Sequence, residues 1–89
     1  MPLYAIRREL GKISRDELDA SASRAIMCSY DFERMKWVRS FWDPEAGNIT
    51  CLYEAASAED VREHARRARI PCDEVREVTE VTPELYVHN

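Results

Sequence analysis

His64 stands four residues after Asp60 in a segment, residues 57–69, with helical spacing. An imidazole and a carboxylate one turn apart share a helix face, and such a pair can hold a divalent metal or form a hydrogen-bonded couple. The plainer reading is structural. His64 follows Val61 by three residues and precedes Ala68 by four, so it belongs on or beside the face that meets a sheet, and Asp60 already suits a helix cap. Cys51 and Glu54 are two further donors in a β-rich segment, but three residues apart in a flat strand they point to opposite faces and need another segment to share one ion. Cys51 also reads as a small core residue. Trp37, Trp42, Tyr53 and Tyr4 offer aromatic walls for a ligand pocket, or equally a core or dimer interface. Arg66, Arg67 and Arg69 could grip an anion, although they read first as favourable charges at a helix C-terminus. The candidate metal donors are therefore His64, Asp60, Cys51 and Glu54, with no residue assigned to catalysis; His88, near the end, is expected in solvent.

These residues sit in a chain of 89, with 45% hydrophobic and 34% charged residues, enough for one small domain and too apolar for a disordered segment. A domain of this size buries only about 60–65% of the surface its unfolded chain exposes, so pairing with a second copy would add stability. Thirteen Lys and Arg against seventeen Asp and Glu leave a net charge of −4. That balance argues against a protein that follows nucleic-acid backbone, which needs excess cationic side chains. No apolar run approaches the roughly 20 residues of a membrane span, and the N-terminus lacks the pattern of a signal peptide, so a cytoplasmic protein without a membrane partner is expected. Three cysteines, Cys28, Cys51 and Cys72, include no C-x-x-C pair and read as reduced thiols.

Local signals place the elements. Residues 3–8 read as a strand ending near Gly11. Ser14 and Glu17 have capping-box spacing, and the helix they open carries Leu18, Ala22, Ala25, Ile26 and Ser29 at three- and four-residue steps. Its small residues are expected to allow close approach to a sheet. Residues 35–42 and 49–55 form a hairpin about the turn at 43–48, with Pro44 and Gly47 suited to turn positions. Ser57 caps a second helix with Asp60 at N3, Arg66 to Arg69 crowd its last turn, and Pro71 ends it. Val75, Val78 and Val81 are expected in a last strand from about Asp73, with residues 82–89 as a tail that could dock on a partner.

Strand, helix, strand, strand, helix, strand is the ferredoxin-like α+β arrangement: a four-stranded antiparallel sheet with both helices on one face, the core spanning about 2–80 and the tail 81–89. Its other face should be polar if solvated. Yet Trp37, Phe41 and Leu52 share one parity while Val38, Trp42, Cys51 and Tyr53 share the other, so neither face is cleanly polar. A second copy or a ligand would cover the open face, which makes a homodimer the expected assembly. Two relatives of this shape are excluded on residues: residues 48–54 lack the glycines and basic start of an RNA-binding RNP1 strand, and residues 7–13 lack a copper chaperone's cysteines.

The segments Pro2-Leu3-Tyr4, Trp37-Val38-Arg39-Ser40-Phe41, Thr50-Cys51-Leu52-Tyr53-Glu54-Ala55, Arg62-Glu63-His64-Ala65-Arg66-Arg67-Ala68 and residues 70–78 together resemble a family of small bacterial ferredoxin-like nickel-binding proteins, most of whose members are domains of unknown function. The likeness covers residues 2 to about 80 and is most specific over 54–78. It implies a cytoplasmic dimer binding nickel or a similar divalent metal near the second helix, with His64 in the family's E-H-A segment as leading ligand and Cys51 matching its strand cysteine. With only two histidines in the chain, carboxylates such as Asp60, or waters, would have to complete the coordination. The expected function is thus non-catalytic metal binding as a homodimer. The alternative is a cofactor-free enzyme or small-ligand binder of the dimeric α+β-barrel type, with Trp37, Trp42, Tyr53 and Tyr4 around a cavity and His64 as base.

Overall fold

The computed structural model describes residues 1–87, so His88 lies outside the described residues. Strand β1 (Leu3–Glu9) leads through helix α1 (Arg15–Ser29) to β2 (Lys36–Asp43) and β3 (Asn48–Glu54), then α2 (Ala58–Ala68) and β4 (Glu74–Val78). The sheet order is β2-β3-β1-β4, all neighbours antiparallel. This is the expected ferredoxin-like arrangement, with the two strand–helix–strand halves interleaved so that β1 and β3 lie at the centre.

Both helix starts form as their residues direct. Ser14 accepts from the Glu17 amide while Glu17 accepts from the Ser14 amide, satisfying two otherwise orphaned donors, and Ser57 accepts from the Asp60 amide. At the end of α2, Arg69 takes a left-handed conformation (φ 57°), and its N–H returns to the carbonyls of Ala65 and Arg66.

The last strand is shorter than expected. β4 ends at Val78, because β1 offers it partners only from Arg7 to Leu3. Val81 therefore lies outside the sheet, exposed, and a short 3-10 turn follows at Pro83–Leu85.

One irregularity redistributes the hairpin's aromatic residues. Trp37 pairs with Tyr53 but the next partners are Arg39 and Leu52, so Val38 is an extra residue in β2. This bulge reverses the parity of the residues before it. Trp37 thereby joins Trp42, Cys51 and Tyr53 on the helix-bearing face, where strict alternation would put it beside Phe41. The core consists of Tyr4, Ile6, Ile49, Cys51 and Tyr53 from the sheet with Ala55 and Val61, and Trp37, Trp42 and Val75 pack against it.

The hairpin turn is anchored to the end of β1. Gly47 O accepts from the amides of Leu10 and Gly11 at 2.8 and 2.9 Å, which brings the two glycine backbones together. Gly47 has φ +77°, and a Cβ there would lie 3.1 Å from Gly11 O. Both the left-handed conformation and this approach require glycine. Gly47→Ala is expected to cost about 1–3 kcal/mol through strain, read as a thermal midpoint at least about 4 °C lower; an unchanged midpoint would remove the steric requirement.

Candidate functional site

The helices meet through small residues and two side-chain-to-backbone bonds. On α2, Val61, His64, Ala65 and Ala68 are buried. His64 is 1% exposed, and its Nε2–H donates to Ala25 O on α1 at 2.8 Å. From the other side, Arg24 on α1 donates to Ala68 O at 2.8 Å, capping the C-terminal turn of α2. The donation from Nε2 leaves Nδ1 as a bare lone pair, buried and without a partner. Tyr53 and Phe32 pack on the ring at 5.3 and 5.9 Å between centroids.

Arg8 is the second buried polar residue, at 3% exposure. It shares the inward face of β1 with Tyr4 and Ile6 by simple alternation. Its Nη1 donates to Pro71 O at 2.7 Å, its Nε reaches Cys51 Sγ at 3.5 Å, and its guanidinium lies 5.9 Å from the Tyr53 ring centroid. Its Nη2 has no partner. Among the described residues no carboxylate forms an ion pair with it.

Between α1 and the sheet lies a cavity of about 310 Å³. Trp37, Trp42, Tyr53, Ile49, Cys51, Ser40 and Arg8 form its sheet side; Leu18, Ser21, Ala22 and Ala25 its helix side; Leu10 and Ile70 also line it, with Arg15 and Asp19 from the first turns of α1. It opens in part to solvent and is lined mainly by apolar surface. The small residues of α1, expected to bring helix and sheet together, leave this space instead. α1 is tied to α2 through Ala25 O and Arg24, and short side chains at that height cannot reach the sheet.

Trp37, Trp42 and Tyr53 do converge on one cavity, but within a single copy and on the helix side, not between two paired sheets. Tyr4 is buried in the core beneath α2's side of the sheet and is not part of the cavity wall. His64, the proposed base of an enzyme, is also absent from that wall. As for metal donors, Cys51 faces the helices beside Arg8, whereas Glu54 pairs with Leu3 and Lys36 on the opposite face. Asp60 is half-buried in the first turn of α2. Among the described residues no three of His, Cys, Asp or Glu come together to hold an ion. The donors of one copy therefore do not fit a chelating site by themselves.

Two of the three arginines at the end of α2, Arg66 and Arg67, have carboxylate partners on their own helix. Arg66 and Arg67 both donate to Glu63, whose carboxyl they hold down at about 2. Sequence reasoning missed Arg8, Ser40, Leu18 and Ala22 as wall residues. Arg8 carried a signal in its strand parity with Tyr4 and Ile6, and Leu18 and Ala22 in their helical spacing.

The family model described as "Nickel responsive protein SCO4226-like" matches residues 4–78. This chain belongs to the SCO4226-like family. The crystal structure of SCO4226 from Streptomyces coelicolor A3(2) superposes with a TM-score of 0.80 at 28% identity, covering 90% of this chain and 99% of that one. None of the curated proteins matches the sequence. The SCO4226-like match takes in β1 through β4, and so includes both Arg8 and the cavity. No helix among the described residues is long and apolar enough to cross a membrane.

Burial pushes the His64 imidazole below its ordinary 6.5, opposed by its bond to Ala25 O and reinforced by the Arg8 charge. The unfolded chain, titrating near 6.5, then binds the proton more readily, so this contribution to stability is complete above pH 6.5 and declines as pH falls through 6.5 towards the folded value. The His64 ring is expected to titrate by NMR with a midpoint below 6.5, and the thermal midpoint to fall between pH 7.5 and 5.5. A ring midpoint at or above 6.5 would refute the buried neutral tautomer.

Proposed function

We propose that this chain is a non-catalytic protein of nickel-responsive physiology that acts as a homodimer and takes up a divalent metal of the nickel type with donors from both copies. The observation that carries this reading is the open face of the sheet. Register puts Leu3, Ala5, Leu52, Val78 and Phe41 on that face, with Phe41 64% exposed, beside Arg7, Arg39, Arg76 and Glu54. An apolar strip at the centre of a bare sheet is stabilised by covering, and a second copy presents the same strip in a self-complementary way. The exposed Val81, Leu85, Tyr86 and Val87 add apolar surface outside the core.

Glu54 on the open face and Asp60 on the first turn of α2 are the candidate donors with surface to offer a second copy; His64 and Cys51, also candidates, are enclosed. Family membership supports the choice of nickel. The cytoplasm, the expected location, is a compartment in which Cys28, Cys51 and Cys72 stay reduced, and all three are free thiols in the structure.

A second reading is favoured by the aromatic cavity itself: binding of a small, largely apolar molecule between α1 and the sheet. At about 310 Å³ its volume lies at the lower end of ligand sites. The proposed dimer contact and the cavity use opposite faces of one sheet, so the two readings are compatible.

Native mass spectrometry of untagged protein, before and after addition of nickel, tests the first reading. A dimer that gains nickel is expected, with Phe41→Glu giving a monomer that gains none. A monomeric wild type, or nickel retained unchanged by monomeric Phe41→Glu, would overturn it. Nickel uptake unaltered in His64→Ala would remove His64 from the donor set.

A further inference from the structure

We propose that the two copies of the homodimer stack their open sheet faces with β2 lying antiparallel on β2, so that Lys36 of each copy meets Asp43 of the other and Arg39 meets Phe41. The proposal rests on the homodimer reading and adds the orientation of the second copy and the contacts that select it.

The open-face charges of the edge strand β2 lack partners within their own copy. Lys36, Arg39 and Asp43 are exposed and, among the described residues, form no ion pair. On the other side of the face, Arg7 pairs with Glu9 and Glu74, and Arg76 with Glu74. Lys36 and Asp43 are seven residues apart, an odd spacing that puts two side chains on opposite faces of a regular strand. The extra residue at Val38 returns Lys36 to the face of Asp43. Opposite charges thus stand at the two ends of one strand on one face, about 20 Å apart along it, too far to pair with each other.

Register arranges the open face in rows across the strands. Arg39, Leu52, Ala5 and Arg76 form one central row, and Phe41, Thr50, Arg7 and Glu74 the other; Lys36 lies in the row of Val78 and Asp43 in that of Glu9. When two sheets stack with their strands aligned, a two-fold axis between them runs either along the strands or across them. An axis along the strands lays β2 on the other copy's β4. That sets Arg39 against Arg76, leaves Phe41 facing Glu74 and gives Lys36 only Val78, so like charges meet and neither end of β2 is compensated. An axis across the strands, midway between the two central rows, lays β2 on β2 in opposite directions. Lys36 then faces Asp43, Arg39 faces the ring of Phe41 and Arg76 faces Glu74, each contact being made twice. Arg7 faces Ala5, where the smallest side chain of the face leaves room for it. Opposite charges across an interface fix its register and suppress wrong arrangements, and a guanidinium over an aromatic face is attractive. Phe41→Glu takes away that last contact, because it removes the ring and offers Arg39 a carboxylate within its own copy, as Glu9 does for Arg7.

The dimer dissociation constant, read by sedimentation equilibrium at low salt, tests the orientation through substitutions of exposed side chains. Asp43→Asn keeps an acceptor for the Ala46 amide, so the hairpin turn is retained. Lys36→Gln and Asp43→Asn are each expected to weaken the dimer about threefold, and the double variant no more than either alone, as for a coupled pair. Arg39→Gln is expected to weaken it severalfold, whereas with Arg39 facing Arg76 the loss of a like charge would tighten it. Cross-linking gives a readout independent of affinity. A bis-maleimide spanning about 10 Å, the separation of stacked sheets, is expected to join Lys36→Cys copies to Asp43→Cys copies in a mixture, and not Lys36→Cys to Val78→Cys copies, with the linked peptides identified by mass spectrometry. Additive effects of Lys36→Gln and Asp43→Asn, a tighter Arg39→Gln dimer, a 36–78 link, or a dimer without the 36–43 link would overturn this orientation and leave the homodimer standing. A monomeric wild type would overturn both.

Discussion

The height of α1 above the sheet is set by its attachment to α2, and much else in the molecule depends on that height. His64 Nε2–H reaches across to Ala25 O, and Arg24 reaches back to Ala68 O, each at 2.8 Å. Both bonds use backbone carbonyls as acceptors, so they constrain the helices themselves and not merely their side chains. Because His64 lies deep in the core, the first bond is shielded from competing water, and breaking it would strand a buried donor. The alanines at this contact allow close packing of one helix on the other. The same shortness on the sheet-facing side leaves α1 unable to fill the space beneath it.

The two faces of the sheet are built from different residues. Along β3, Cys51 and Tyr53 turn towards the helices and the cavity, while Leu52 and Glu54 turn to the open face. Period-two alternation in one strand thus lines the cavity and the open face with different residues. Arg8 lies at the junction between cavity and core. It ties β1 to the loop before β4 through Pro71 O and touches Cys51 and Tyr53.

The architecture was largely legible in the residues. Ser14 with Glu17, and Ser57 with Asp60, mark helix starts through bonds made within one turn. Pro44 and Gly47 mark a hairpin whose strands then have little choice of partner. The buried position of His64 followed from its spacing to Val61 and Ala68. Less was legible of the site. Trp37 was assigned to the face of Phe41 because a bulge at Val38 adds a residue that no local pattern announces. Val81 was counted into β4 because its spacing continued that of Val75 and Val78, although strand length is set by the partner. Arg8, charged and next to Arg7, resembled a solvated residue, and only its parity with Tyr4 and Ile6 spoke otherwise.

The amino-acid sequence alone determined the order of elements, their caps and turns, and through them the α+β class, because these rest on interactions between residues within a few positions of one another. The tertiary structure decided which aromatic residues meet, that the alanine stripe of α1 leaves a cavity, and that Arg8 is enclosed with an unpartnered donor. Those features depend on the height of one helix over a sheet and on strand register. Both are settled between segments distant in the chain, by hydrogen bonds such as Arg24 to Ala68 O that no local pattern encodes.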